Sequence, residues 1–138
     1  RGQRLPRLPQ RQHLLLAEDN ELNSEIATAL LEEQGASITA VENGRLALEA
    51  IQNAAPRTYD AILMDVMMPE MNGLEATRCI RAFEGKGPGE GTPIIAMTAN
   101  VFADDVKACL DAGMNSHVGK PLDMKVLIGE ILKYTDAR

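Results

Sequence analysis

Ala61-Ile-Leu-Met-Asp-Val-Met-Met-Pro-Glu-Met-Asn-Gly73 decides how the rest of the chain is read. Ala61 to Met64 is a short apolar run, closed by the carboxylate of Asp65 and followed by the turn formers Pro69 and Gly73. A continuous apolar run bounded by turn residues suits a strand buried on both faces, as in a parallel sheet. Asp65 then stands at the carboxyl end of that strand, the edge at which open α/β sheets bind ligands.

Outward from this stretch, strands and helices alternate. His13 to Asp19 reads as a first strand ending in carboxylates. Asn20 is an N-cap candidate for a helix to Glu33, with Leu22, Ile26, Ala29 and Leu30 at helical spacing and Gly35 as its stop. Ser37 to Val41 is a second strand, Asn43-Gly44 a turn, and Arg45 to Asn53 a helix with Ala47, Leu48 and Ile51 inward. After the central stretch, Ala76, Cys79, Ile80 and Phe83 mark the inner face of a third helix. Pro93 to Thr98 is a fourth strand and Ala103 to Asp111 a fourth helix stopped by Gly113. Asn115 to Gly119 is a weak fifth strand. Met124, Leu127, Ile128 and Ile131 line the last helix. Five β-α repeats mean an α/β fold, a parallel sheet with right-handed crossovers and helices on both faces.

Composition narrows the function. A chain of 138 residues with 45% apolar content is one globular domain, and 3% aromatic residues leave an aliphatic, Met-rich core. Met64, Met67, Met68 and Met71 are expected in core and rim packing. Removing the four arginines of residues 1–12 from a net charge of −6 leaves −10, which argues against nucleic acid as the main partner. Residues 1–12 read as a linker and residues 13–138 as the domain. Cys79 and Cys109 have no paired spacing and read as reduced thiols. No apolar run approaches the roughly 18 residues that span a bilayer and no signal peptide is visible, so a cytoplasmic domain without membrane contact is expected. The loop Gly85-Lys-Gly-Pro-Gly-Glu-Gly91 follows a helix and precedes a strand, the reverse of a phosphate-binding loop, and reads as a surface connection.

Glu18 and Asp19, Asp65, Thr98 and Lys120 all end, or closely follow, different strands. The separations from Asp19 onward are 46, 33 and 22 residues. Three carboxylates and one ammonium sum to −2, which one divalent cation neutralises; hard oxygen ligands favour Mg²⁺. A carboxylate beside Mg²⁺, a lysine and a hydroxyl suits attack on a phosphoryl group.

With Glu18-Asp19, Asp65 before Met-Met-Pro-x-Met-x-Gly, Thr98-Ala99 and Lys120-Pro121 in place, the sequence resembles the response-regulator receiver domains of two-component signalling, from His13 to about Tyr134. That resemblance implies a flavodoxin-like (βα)5 fold with strand order 2-1-3-4-5. It implies Asp65 as the phospho-acceptor, with Thr98 and Lys120 holding phosphoryl oxygens. Asp19 and Asp65 would bind Mg²⁺ directly, Glu18 through water, and Met67 through its backbone carbonyl. It further implies a cis Lys120-Pro121 bond, Met67 and Asn100 flanking the water path that sets phosphoryl lifetime, and a domain that catalyses its own phosphorylation and dephosphorylation. The donor would be a histidine kinase or histidine phosphotransfer protein.

Glu18-Asp-Asn-Glu-Leu-Asn23, Met97-Thr-Ala-Asn100 and Gly113-Met-Asn115 resemble more closely the receivers fused to hybrid sensor histidine kinases, whose parent can be anchored in the inner membrane. A free-standing single-domain regulator and a phosphorylation-independent binding module are the alternatives. His117 stands where relatives carry Tyr or Phe; with Thr98 it forms the expected switch pair, and a smaller, titratable ring implies weaker coupling. A haloacid-dehalogenase-type phosphatase requires a second Asp where Met67 stands. A flavodoxin-like cofactor binder would not carry Glu18-Asp19-Asn20-Glu21 after its first strand, because those acids repel phosphate.

Overall fold

The computed structural model describes residues 12–99 and 102–135. Its elements run β1 (His13–Ala17), α1 (Glu21–Glu33), β2 (Ser37–Val41), α2 (Gly44–Gln52), β3 (Ala61–Asp65), α3 (Gly73–Glu84), β4 (Ile94–Thr98), α4 (Ala103–Ala112), β5 (Ser116–Gly119) and α5 (Met124–Thr135). The five strands form one parallel sheet in the order β2-β1-β3-β4-β5, as the resemblance implied.

β3 and β4 are buried along their whole length, which is why both read as uninterrupted apolar runs. Alternate residues feed two cores. Leu14, Leu16, Leu63, Ile95 and Met97 pack under α1 and α5 against Ala27, Leu31, Leu127, Ile128 and Ile131. Leu15, Ile62, Met64, Ile94 and Ala96 pack on the other face against Ala47, Ala76, Ile80 and Cys109. Each fully buried Leu or Ile contributes about 1.5–3 kcal/mol.

The expected boundaries hold with local corrections. β1 ends at Ala17, so Glu18 and Asp19 occupy the turn after the strand, where Glu18 N–H donates to Val41 O at 3.1 Å. Asn43 is an N-cap, accepting from Leu46 N–H at 2.8 Å, and Gly44 already belongs to α2. On α1 the expected apolar face points outward: Leu22, Ile26 and Leu30 are 64%, 49% and 40% exposed. Ala29 is exposed as well, and Ala27 and Leu31 are buried instead. The small Ala27 lets the helix lie close on the sheet, and this narrow stripe suffices to anchor it.

On α3, Phe83 is 52% exposed while Thr77 and Arg81 are buried. Arg81 is accommodated because its guanidinium donates to the carbonyls of Gly113 (2.9 Å) and Thr92 (2.8 Å) and to Asn115 Oδ1 (2.9 Å), and pairs with Glu84 (3.0 Å). Cys79 and Cys109 are free thiols, half-buried and buried. Among the described residues no helix is long and apolar enough to cross a membrane.

Candidate functional site

The carboxyl edge gathers side chains from four strand ends. β1 delivers Glu18, 5% exposed, and the exposed Asp19; β3 delivers Asp65, 5% exposed. Carboxylate oxygens of the three lie within 4.8 Å of one another. β4 ends in the buried Thr98, paired in register with Gly119, and Lys120 N–H donates to Thr98 O at 2.9 Å. The Lys120-Pro121 bond is cis, as expected.

The loop after Asp65 closes tightly over it. Gly73 N–H donates to Val66 O at 2.9 Å, and a Cβ at Gly73 would run into the Asp65 carbonyl oxygen. Only glycine permits that approach. Asn72 then caps α3 by accepting from Glu75 N–H at 2.9 Å, and the Glu75 side chain reaches back to Asn72 N–H.

Lys120 Nζ lies 2.9 Å from Glu18 Oε1 and 3.1 Å from Asp65 Oδ2. The two carboxylates respond in opposite directions. For Asp65, burial outweighs Lys120 and, with the charge of Glu18, lifts the pKa to about 6. Glu18 also feels burial, but Lys120 and the Asn20 N–H, which donates to Glu18 Oε2 at 3.1 Å, hold it below the usual carboxylate range. Burial works against the Lys120 charge as well, yet its two acidic partners raise its pKa.

Three hard oxygen donors of formal charge −3 beside one ammonium fit a divalent cation of the Mg²⁺ kind, which accepts carboxylates and retains open positions. Sequence reasoning brought together the residues found at this edge: Glu18, Asp19, Asp65, Thr98 and Lys120. Met67 is 77% exposed on the loop above it. His117 is half-buried on β5, its Cα opposite Ala96. Asn100 lies outside the described residues.

The outward apolar face of α1 was not anticipated. Its spacing was visible, but its direction was not. A cleft of about 540 Å³ connects this face, through Ile26 and Leu30, with Lys120, Pro121, Leu122 and Met124.

Comparison with known proteins converges on one family. The sequence profile of the response regulator receiver domain matches residues 14–132. Probable histidine kinase 1 of Oryza sativa subsp. indica is 41% identical over 81% of this chain, and the sensor protein GacS of Pseudomonas syringae pv. syringae is 38% identical over 88%. The chain spans only 14% and 13% of those relatives' lengths. Among solved structures, the receiver domain of a sensor histidine kinase from Pseudomonas aeruginosa PAO1, with magnesium in its active-site cleft, is 37% identical. It superposes with a TM-score of 0.79, covering 91% of this chain and 98% of that one. The receiver domain of Saccharomyces cerevisiae Ssk1, solved with the phosphotransfer protein Ypd1, is 26% identical. Its TM-score is 0.82, with 94% of this chain and 92% of that one covered.

Proposed function

Because the chain belongs to the response regulator receiver family, we propose that it accepts a phosphoryl group from a phosphohistidine onto Asp65 and thereby relays a signal. The observation that carries this reading is the meeting of Glu18, Asp19 and Asp65 within 4.8 Å, with Lys120 Nζ 3.1 Å from Asp65.

An Asp65 carboxylate oxygen attacks phosphorus, a P–O bond forms and the P–N bond to the donor imidazole breaks; the electron pair stays on that nitrogen, and the imidazole leaves neutral with the proton it already carries on its other ring nitrogen. Lys120 leaves its contact with Asp65 to pair with a phosphoryl oxygen, and the Thr98 hydroxyl donates to another. Asp19 and Asp65 would hold Mg²⁺, with Glu18 through water and the Met67 carbonyl completing the protein ligands. When bound, the cation supplies charge neutralisation between the carboxylates and the incoming phosphoryl group. His117 lies on the strand next to Thr98 and is the residue that would carry the change toward α4 and α5.

The relatives that carry kinase names support assignment of this domain to a hybrid sensor kinase; on this reading the receiver faces the cytoplasm from a parent anchored in the inner membrane, with residues 1–12 as linker and 13–138 as receiver. Nucleic acid and membrane are not its partners on this reading; a histidine phosphotransfer protein or kinase is. The exposed Leu22, Ile26 and Leu30, continuous with the cleft leading to Lys120, offer such a partner an apolar face beside the acceptor. Incubation with a phosphorylated histidine phosphotransfer protein and Mg²⁺ tests the proposal. Label should move to this chain and none should move to Asp65→Asn; label left on the donor would overturn it.

A further inference from the structure

A second concave site lies at the amino edge of the sheet, opposite Asp65. It is a cleft of about 620 Å³ between the connection from α2 to β3 and the Gly-rich loop after α3, and the phosphoryl chemistry uses none of it. Its walls mix an apolar body with cations: Ile51, Pro56, Tyr59 and Phe83 beside Arg57 and Lys86. Glu84 is the one carboxylate in the lining, and it is committed. Its Oε1 pairs with Arg81 at 3.0 Å, and its Oε2 accepts from Thr92 N–H at 3.2 Å and Thr92 Oγ1 at 2.5 Å.

Arg57 and Lys86 join no ion pair among the described residues, so the cleft is locally positive on a chain of net charge −6. Two backbone positions shape its walls. Arg57 sits at φ 66°, a conformation that disfavours a side chain and is maintained here nonetheless. Gly91 at φ 80° packs so closely that a Cβ would collide with Glu84 Oε1 and meet Lys86 Cγ at 3.1 Å, which folds the loop onto the lysine stem. Phe83, half exposed, leaves a ring available for stacking.

We propose that this cleft binds a small organic anion with a flat aromatic body, of the size and chemistry of a nucleoside monophosphate. The volume falls within the roughly 300–1,000 Å³ of small-molecule sites. Arg57 and Lys86 would receive the phosphate through charge-assisted hydrogen bonds, and Phe83 the ring.

The test is an amide NMR titration of the full chain in EDTA, which withholds any cation from the Asp65 edge. Adenosine monophosphate, guanosine monophosphate and 1-naphthyl phosphate are the ligands; adenosine and inorganic phosphate are the controls. At least one aromatic phosphate should shift amides of residues 51–59 and 83–92 saturably, with each control about tenfold weaker. The double variant Arg57→Gly, Lys86→Gln should lose a further tenfold or so, and glycine relieves rather than adds strain at position 57. Unperturbed dispersion in the ligand-free spectrum of the variant shows that it folds. The proposal is overturned if no aromatic phosphate saturates, if saturable shifts fall elsewhere, if a control matches the aromatic phosphates, or if the folded double variant binds undiminished. If the double variant does not fold, Phe83→Leu takes its place: weaker binding supports the proposal and unchanged binding overturns it.

Discussion

Lys120 Nζ stands 3.1 Å from Asp65 Oδ2, although Asp65 ends β3 and Lys120 follows β5, strands that are not neighbours in the sheet. β4 lies between β3 and β5, so the lysine reaches across the end of a strand to its acid. The same ammonium touches Glu18 at 2.9 Å. One cation thus holds two buried carboxylates, and on the proposed reading it is the group that changes partners when a phosphoryl group arrives.

In EDTA the stability of the domain should depend on the Asp65 carboxyl. The Asp65 pKa rises from 3.8 to about 6 on folding, chiefly through burial. A raised carboxylate favours folding fully below the unfolded value, and that contribution is lost as pH rises through the folded value. Between pH 4 and pH 7.5 the loss is on the order of 1–3 kcal/mol. Asp65→Asn cannot undergo it, so urea unfolding in EDTA should show the variant gaining on the parent at pH 7.5 relative to pH 4. A stability difference that does not change with pH would contradict the burial argument.

Ile26→Glu separates docking from chemistry. Ile26 is 49% exposed, so the substitution should change stability by no more than about 0.5 kcal/mol. Phosphotransfer from a histidine phosphotransfer protein should slow by tenfold or more, while labelling by acetyl phosphate stays at the parental rate. Equal slowing with both donors would remove α1 from the partner surface.

Arg81→Ala should destabilise the fold by about 3–5 kcal/mol, because it strips the buried guanidinium from the Thr92 carbonyl and from Glu84 Oε1, and leaves the Gly113 carbonyl with Gly89 N–H alone. Burial pulls the Arg81 pKa below the ordinary arginine value and Glu84 pulls it back up, so the pair depends on its geometry. Chemical denaturation measures the effect; a loss below 1 kcal/mol would mean that water replaces the guanidinium.

Met67 is 77% exposed above the acceptor and its thioether cannot orient a water. Met67→Asn introduces a group that can, and it should shorten the phosphoryl lifetime on Asp65. The decay half-life of the phosphorylated form measures this; an unchanged or longer half-life counts against a role for this position.

Some of this was legible in the sequence because it is written in short local patterns. A carboxylate closing a doubly buried strand is visible in Ala61 to Asp65, and β-α alternation carries Glu18, Asp19, Thr98 and Lys120 to the same edge. The face that α1 buries was not legible. Leu22, Ile26 and Leu30 satisfy helical spacing as well as Ala27 and Leu31 do, and the choice depends on how closely the helix axis approaches the sheet. Burial of Arg81 was equally hidden, because its acceptors come from Thr92, Gly113 and Asn115, far along the chain. Where β1 ends is set by its pairing with β2 up to Ala17 and Val41, which no pattern within residues 13–19 records.

The most direct test of the central claim is intact mass spectrometry after incubation with acetyl phosphate and Mg²⁺. A single added phosphoryl group is expected on the parent chain, and none with EDTA in place of Mg²⁺ or in Asp65→Asn. Full labelling of Asp65→Asn, or labelling of the parent that is indifferent to EDTA, would contradict it.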